Sequence, residues 1–194
     1  MPRPDHFGLL APIYERFFSA PPPDGLRRAL KLPTSGLLLD AGGGTGRVTA
    51  QFAGEAQQVV IADLSQGMLR QAVSRHGLQT VLAPAERLPF ADGTIMRIVM
   101  VDALHHVYDA ASTVRELVRV LAPGGRMVIQ EPDWRIPSVR LISWAEKLAL
   151  MRSHPHLPGE IVAMARQAGA RARCWAPGDH SVWIIAAKPP PGAP

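Results

Sequence analysis

The sequence has very little cysteine: Cys174 is the only one among 194 residues. A single cysteine excludes an intramolecular disulfide and argues strongly against a cysteine-based zinc site. Such usage is typical of a reducing compartment, so we expect a cytoplasmic protein. Because Cys174 falls in a strand-like segment, we predict that it is a buried space-filling residue rather than a nucleophile.

Long hydrophobic runs are also missing. The apolar stretches fall far short of the roughly 18 residues that a membrane-spanning helix needs, so no membrane span is expected. The first residues, Met1 to His6, lack the apolar run of a signal peptide. Both absences agree with the cytoplasmic expectation from cysteine usage.

Acidic side chains are outnumbered. There are 16 Asp and Glu against 21 Lys and Arg, which gives a formal charge of +5. This excess permits an anionic partner, such as nucleic acid or a phosphorylated substrate. The arginines are instead spread from Arg3 to Arg173 without a dense basic block, as expected of a solvated surface. Nucleic acid is therefore the less favoured partner, and the sequence leaves the charge unexplained.

Hydrophobic periodicity alternates between strand and helix along most of the chain. A chain of this length fits one domain of roughly 100–200 residues. Strands alternating with helices predict a parallel sheet covered on both faces, and the last two strands suggest a hairpin. The predicted helices span 6–18, 23–31, 66–76, 110–121, 139–151 and 160–167, and the predicted strands span 36–40, 59–62, 80–82, 95–101, 127–129, 170–175 and 181–188.

A glycine cluster follows the first predicted strand, in the sequence Asp40-Ala41-Gly42-Gly43-Gly44-Thr45-Gly46. Glycines let a backbone approach a ligand closely, and the N-terminus of a following helix offers free N–H groups. The dinucleotide fingerprint G-x-G-x-x-G fails, because its last position falls on Arg47 or Thr49. The spacing that fits is D-x-G-x-G-x-G. The alternative is a tight turn without a ligand.

An acidic residue supports a nucleoside ligand. Asp63 follows the second predicted strand, 21 residues after Gly42. In dinucleotide folds an acid at this place accepts hydrogen bonds from the ribose hydroxyls. The alternative is that Asp63 caps the helix that begins near Ser65. The glycine loop and the acid together favour ligand binding over two unrelated structural roles.

Five segments, taken in order, resemble the motifs of class I S-adenosylmethionine-dependent methyltransferases. The resemblance covers about residues 7–188 and is greatest to quinone-biosynthesis C-methyltransferases and their small-molecule relatives. The segments are Leu37–Arg47, Val60–Leu69, Ala85–Gly93, Ala103–Val107 and Leu121–Arg126. The resemblance implies an S-adenosylmethionine cofactor and in-line transfer of its methyl group to a small molecule. The cofactor contacts that it implies are Tyr14, Asp40, Ala41, Gly42, Gly44, Gly46, Asp63, Leu64, Met68, Ala85, Glu86, Asp102 and Ala103.

The resemblance also implies an architecture. We expect an α/β fold with a Rossmann-like doubly wound sheet of seven strands, mostly parallel with an antiparallel final strand, and helices on both faces. Residues 1–194 would form one methyltransferase domain. Within it we expect a helical lid (1–35), a cofactor-binding core (36–131), a substrate-lid insertion (132–160) and a flexible tail (189–194). A monomer or a homodimer is expected.

One position departs from the family pattern. The family commonly has an aspartate two residues before the position of Glu86, where it contacts the adenine amine. Here Pro84 stands instead, with neither a carboxylate nor an N–H. The adenine contact would then come from the backbone at Ala85, from Glu86 or from water.

Residues for the chemistry itself should lie after the fourth and fifth strands, because ligands bind at the carboxyl ends of strands in open α/β sheets. His105 or His106 could act as a general base, or both could cap the next helix or face solvent. Glu131, Trp134 and His106 are candidate substrate contacts. No metal is expected, because no further ligand is suitably spaced.

Other functions stay open at this point. One is methylation of RNA or another nucleic acid, although Val101-Asp102-Ala103-Leu104 differs from the Asn/Asp-Pro-Pro-aromatic motif of base-amine methyltransferases. Another is a non-catalytic module that only binds S-adenosylmethionine. A nicotinamide oxidoreductase is opposed by the glycine spacing. The sequence does not identify the acceptor, the atom that is methylated or the need for a base.

Overall fold

The structure is a computed structural model that describes residues 23–136, 154–178, 180–190 and 192. The helices predicted over 6–18 and 139–151 lie outside the described residues, and so does most of both predicted lids. The described helices are α1 (Pro23–Leu30), α2 (Gln66–His76), α3 (Ala110–Val120) and α4 (Pro158–Gln167), with short 3₁₀ turns at Thr49–Phe52 and Leu104–His106.

The strands form a seven-stranded sheet in the order β3-β2-β1-β4-β5-β7-β6. They are β1 (Leu37–Ala41), β2 (Gln58–Asp63), β3 (Gln79–Leu82), β4 (Ile95–Val101), β5 (Leu121–Pro132), β6 (Arg171–Trp175) and β7 (Ser181–Ala187). The neighbours from β3 to β5 pair in parallel, whereas β7 runs antiparallel to both β5 and β6. The predicted fold class is therefore confirmed, including the antiparallel final strand. The order reverses between β1 and β4, which opens a crevice at their carboxyl ends.

Helices cover both faces of the sheet, as predicted. The apolar sides of α3 and α4 pack on one face, where Leu117 and Ile161 are fully buried. On the other face, Leu26 and Leu30 of α1 and Ala72 of α2 are buried with Phe52. Part of the segment expected to be a lid, α1, thus contributes to the core. Burial on both faces explains why the central strands are continuous apolar runs.

The two ends of α2 show how local sequence determines where a helix begins and ends. The hydroxyl of Ser65 accepts a hydrogen bond from the backbone N–H of Met68, which caps the start of α2. Gly77, at φ +63°, ends the same helix in the left-handed conformation that favours glycine. The predicted range for α2 matches the observed one.

The structure corrects three expectations. The glycine loop leads into only a four-residue 3₁₀ turn, so the expected helix N-terminus is absent there among the described residues. The fifth strand was predicted over 127–129, but β5 begins at Leu121, directly after α3 ends at Val120, and it includes Pro123-Gly124-Gly125, where its register with β4 shifts. Cys174 is exposed rather than buried, because β6 is the edge strand of the sheet.

Gly46 and Gly54 form a matched pair for testing how tightly the glycine loop is packed. Both have positive φ, +76° and +86°, but an added Cβ would meet Leu78 Cδ1 at 2.7 Å only at Gly46. Alanine at either site should cost about 1–2 kcal/mol of backbone strain. Gly46→Ala should cost about 1–3 kcal/mol more, because the loop is packed against Leu78. Urea unfolding without ligand measures both. Equal losses would contradict the tight packing of this loop.

Candidate functional site

The glycine loop closes the carboxyl end of β1. Its backbone N–H at Gly42 donates to the carbonyl of Ala62 at 2.7 Å, which ties the loop to the end of β2. Gly42, Gly44 and Gly46 all have positive φ, at +70°, +56° and +76°. A Cβ at Gly42 would lie 2.8 Å from Ala103 Cβ, whereas one at Gly44 would meet only Met68 Sδ, at 3.9 Å. The backbone at Gly44 therefore borders open space.

The Asp63 carboxylate holds this loop from the neighbouring strand. Its Oδ2 accepts from the backbone N–H of Gly44 at 2.9 Å, and its Oδ1 accepts from the N–H of Ser65 at 2.7 Å. Asp63 is not the cap of α2, since that role belongs to the Ser65 hydroxyl. Asp63 therefore ties the glycine loop to the turn that precedes α2.

A second acid lies beneath the loop. Asp40 is 1% exposed, and its Oδ2 accepts from the Thr49 hydroxyl at 2.9 Å. The loop passes so close that a Cβ at Gly43 would lie 2.4 Å from the carboxyl carbon of Asp40. Burial raises the pKa of Asp40 from 3.8 to about 7, while the Thr49 hydroxyl and the charge of Arg47 act in the opposite direction. Asp40 thus supports the loop from inside.

An ion pair lies across the carboxyl ends of β1 and β4. Arg47 Nη2 lies 3.8 Å from Asp102 Oδ2, and the Asp102 side chain is 39% exposed. Asp102 also has φ +51°, a left-handed conformation that costs a non-glycine residue energy. Both charges are therefore held where the order of the strands reverses.

Apolar and backbone groups stand beyond the end of β2. Leu64, next to Asp63, is 68% exposed. The carbonyl of Pro84 accepts from the Arg87 N–H at 3.0 Å in a turn that contains Ala85 and Glu86. Glu86 Oε1 accepts from the backbone N–H groups of Tyr108 and Asp109, at 2.9 and 3.3 Å. One oxygen of Glu86 thus holds the backbone just before the start of α3.

A buried carboxylate organises the segment after β4. Glu131, at the end of β5, is 2% exposed. Its Oε1 accepts from the backbone N–H groups of Ala103 and Leu104, at 3.1 and 2.8 Å, and its Oε2 lies 2.5 Å from His105 Nδ1. Since the Ala103 side chain lies against Gly42, this segment also contacts the glycine loop. Glu131 was predicted as a substrate contact, and the structure directs its oxygens to three protein donors.

The two histidines and a tryptophan form an aromatic group beside Glu131. His105 is 3% exposed, whereas His106 is half-buried. Their ring centroids are 3.9 Å apart, and the ring centroids of His105 and Trp134 are 5.7 Å apart in an edge-to-face arrangement. Trp134 is 6% exposed. His106 is thus the more accessible of the two imidazoles. It contacts His105, which the Glu131 carboxylate holds in place.

The structure brings together most of the residues predicted for the site. Tyr14 lies outside the described residues. Arg47 and Thr49 were not among the predicted contacts, and no sequence signal distinguished them from other polar loop residues. Within the described ranges, no group of three or more His, Cys, Asp or Glu residues is arranged to hold a metal ion. No helix in the described part of the chain is long and apolar enough to cross a membrane.

The sequence profile of the family described as "Methyltransferase domain" matches residues 39–129. These residues run from within β1 to within β5. They include the glycine loop, the carboxylates Asp40 and Asp63, and both histidines. This part of the chain matches a methyltransferase domain. The resemblance found in the five motifs is thereby confirmed.

Relatives of the methyltransferase domain have names from quinone biosynthesis. The chain is 36% identical over 135 residues to demethylmenaquinone methyltransferase of Mycolicibacterium vanbaalenii, which covers 70% of this chain and 58% of that protein. It is 39% identical over 117 residues to the ubiquinone/menaquinone biosynthesis C-methyltransferase UbiE of Idiomarina loihiensis, covering 55% and 44%. The chain therefore spans about half the length of these curated relatives.

The fold also matches a solved methyltransferase. Phosphoethanolamine N-methyltransferase 2 of Haemonchus contortus, in complex with S-adenosyl-L-methionine, superposes with a TM-score of 0.77 at 18% identity. The match covers 96% of this chain and 58% of that chain. At this identity the likeness concerns the fold, and it agrees with the strand order of the methyltransferase domain.

The raised pKa of Asp40 predicts a pH-dependent stability. Between about pH 4 and pH 7 the unfolded chain loses this proton while the folded protein keeps it, so the free energy of unfolding falls as the pH rises. Asp40→Asn cannot ionise and keeps an oxygen that accepts from Thr49. It should nearly match the wild type at pH 4 and exceed it by roughly 4 kcal/mol at pH 8. Urea unfolding at both pH values measures this. A difference that does not grow with pH would contradict the burial of a proton-binding carboxyl.

Proposed function

We propose that this protein transfers a methyl group from S-adenosylmethionine to a small-molecule acceptor. The observation that carries the proposal is the Asp63 carboxylate, hydrogen-bonded to the Gly44 N–H at the carboxyl end of β1 and β2. A glycine backbone that borders open space, beside an acid at the end of the neighbouring strand, suits a nucleoside with two ribose hydroxyls. The family match and the names of the relatives agree with this function.

Each part of the cofactor finds a complementary group in the site. Asp63 would accept from the ribose hydroxyls, and the exposed Leu64 side chain would cover one face of the adenine ring. Among the described residues, none accepts from the Ala85 N–H, which leaves it to donate to an adenine ring nitrogen, a different contact from the one that the family's aspartate makes with the adenine amine. The zwitterionic amino-acid end is complementary to the Arg47 and Asp102 pair. Gly42, Gly46, Ala41, Met68 and Ala103 would shape the cavity.

When bound, the cofactor supplies an electrophilic methyl group on a sulfonium cation. The residues of this chain contribute chiefly by holding the two reactants in line, since proximity and orientation account for much of the rate in such displacements. The site also limits water by burying Glu131, His105 and Trp134 next to the reaction region. Asp40 stays beneath the loop and fixes its shape.

An acceptor that carries a proton needs a base, and His106 is the candidate that the geometry favours. His105 Nδ1 is committed to Glu131, and the side chain of His105 is 4% exposed, so it has little access to an acceptor. His106 is more exposed, and its ring contacts the held ring of His105 with the centroids 3.9 Å apart. Glu131 and His105 would then be positioning residues, which orient His106 as a carboxylate orients the histidine of a hydrolase triad.

The acceptor is proposed to be small and partly apolar. The relatives named above are quinone-biosynthesis methyltransferases, but this chain spans only about half their length. A quinone-type or phenolic ring is therefore the first class to test, including demethylmenaquinone analogues with short side chains. We further propose that residues 1–35 and 132–160 form lids over the site. The same proposal places the protein in the cytoplasm as a monomer or a homodimer. The single cysteine is consistent with that location.

Cofactor binding is tested by a glycine pair of equal strain. Gly44 and Gly77 have φ +56° and +63°, and alanine would meet no close atom at either position. Both substitutions should cost about 1 kcal/mol of stability. Only Gly44→Ala should weaken the binding of S-adenosylhomocysteine, by at least tenfold, because its methyl group enters the cofactor space. Isothermal titration calorimetry measures the affinity, and Gly77→Ala should bind like the wild type.

Asp63→Asn tests the same site through its charge. The amide keeps one acceptor oxygen and loses the other, so affinity for S-adenosylhomocysteine should fall roughly tenfold or more. Wild-type protein that binds neither S-adenosylmethionine nor S-adenosylhomocysteine would contradict the proposed function, and so would unchanged affinity in both Gly44→Ala and Asp63→Asn.

The roles of the histidines are tested with the acceptor found by a screen with labelled methyl donor. His106→Gln should lower kcat by about 10²-fold or more and remove the acidic limb of the pH–rate profile. Glu131→Gln should lower kcat through a misplaced His105 while affinity for S-adenosylhomocysteine stays within about threefold. Unchanged turnover and pH profile in His106→Gln would contradict its role as base. Methyl transfer to RNA but to no small molecule would contradict the proposed acceptor class.

A further inference from the structure

A cluster of arginines lies on the sheet face that α1 packs against, far from the glycine loop. Arg97 of β4 is in register with Arg126 of β5, and Arg126 is in register with Ala187 of β7. Ala187 in turn pairs with Arg171, the first residue of β6. In-register residues point to the same face of a sheet, so one row carries three arginines separated by a single alanine. Arg173, two residues after Arg171, points to the same side.

The small side chain of Ala187 leaves a depression between the arginines. A cavity of about 200 Å³ lies here, lined by Arg126, Arg171, Arg173, Ile185 and Ala187, together with neighbouring backbone. Ligand pockets for drug-sized molecules usually measure roughly 300–1,000 Å³. This cavity instead fits a compact group, and its polar lining consists of guanidinium groups.

These guanidinium groups have no carboxylate partner among the described residues. Arg126 Nε donates to the carbonyl of Ala29, and Arg97 donates to the carbonyls of Met96 and Lys31. For Arg171 and Arg173 the described part of the chain provides no side-chain hydrogen bond or ion pair. Several N–H donors of Arg126 and all those of the two β6 arginines therefore remain available to a ligand.

The surroundings make this arrangement unfavourable without an anion. The pKa of Arg126 is lowered, first by burial and then by the positive charges of Arg173 and Arg97. The pKa of Arg97 is lowered by burial as well. Gathering like charges at a partly desolvated site costs free energy unless an opposite charge joins them. A bound dianion would offset that repulsion and use the planar donor pairs that arginine offers.

We propose that this arginine cluster binds the phosphate group of a small phosphorylated molecule, at a site separate from the proposed cofactor site. A phosphate group matches the size of the cavity, the number of donors and the sign of the charge. The cluster lies near the amino-terminal ends of β4 and β6, whereas the glycine loop follows the carboxyl end of β1. Phosphate would thus bind without competing with the cofactor.

The test uses inorganic pyrophosphate as the probe and the whole 194-residue chain in complex with S-adenosylhomocysteine. Isothermal titration calorimetry should show saturable binding of pyrophosphate that weakens as the salt concentration rises. Trp175 lies on the same face two residues after Arg173, with its ring centroid 5.2 Å from that of Trp183. Tryptophan fluorescence therefore gives a second readout at the site.

A double variant and a charge-matched control separate the site from general charge. Arg171→Gln with Arg173→Gln changes two exposed residues and should weaken pyrophosphate binding at least tenfold, since two of three lining guanidinium groups are lost. Arg70→Gln with Arg115→Gln removes the same charge from exposed positions on α2 and α3. This control should bind pyrophosphate within twofold of the wild type.

Several results would overturn the proposal. One is the absence of saturable binding, which would leave the arginines as residues that keep the edge strand β6 from pairing with other chains. An equal loss of pyrophosphate affinity in the control variant would show that the effect comes from net charge alone and not from the cavity. Competition between pyrophosphate and S-adenosylhomocysteine would place the anion at the cofactor site. Binding to vesicles of phosphatidylglycerol and phosphatidylcholine, or to a single-stranded oligonucleotide, with none to pyrophosphate, would assign the cluster to a macromolecular surface instead.

Discussion

The site depends above all on the hydrogen bond from the Gly44 N–H to the Asp63 carboxylate. This bond joins the carboxyl ends of β1 and β2 through a loop whose backbone has positive φ at three glycines, a conformation that favours glycine. An acid on β2 thereby fixes the loop on β1 and at the same time faces the space beside it. Hydrogen bonds to a charged acceptor are stronger than neutral ones, so the loop is held in a binding-ready shape. Preorganisation of this kind lowers the free-energy cost of binding.

A second carboxylate performs the same task on the other side of the crevice. Glu131 accepts from two backbone N–H groups and from His105, and it fixes the segment that follows β4. Ala103 connects the two halves, since its N–H is held by Glu131 and its side chain packs against Gly42. Two acids, at the ends of β2 and β5, thus hold the segments on either side of one crevice. A buried carboxylate with three donors is satisfied, which explains how it can be tolerated in the interior.

The sequence predicted the elements whose signals are local. The β-branched run Ile95–Val101 and the capped helix Gln66–His76 match their predicted ranges, because periodicity and caps are read from neighbours in the chain. The extent of β5 was not predictable in this way, since Pro123 and two glycines indicate a loop and only pairing with β4 makes them part of a strand. Exposure of Cys174 likewise depends on the position of β6 at the sheet edge. The residue types of the site were found from motifs, but the three donors on Glu131 and the Thr49 bond to Asp40 arise from tertiary contacts.

The central claim is that the glycine loop and Asp63 form a site for S-adenosylmethionine. A crystal structure of the protein with S-adenosylhomocysteine tests it most directly. The account predicts both ribose hydroxyls within about 3 Å of the Asp63 carboxylate oxygens, with the amino-acid end beside the glycine loop. A ligand bound elsewhere, or a ribose that does not contact Asp63, would contradict the account.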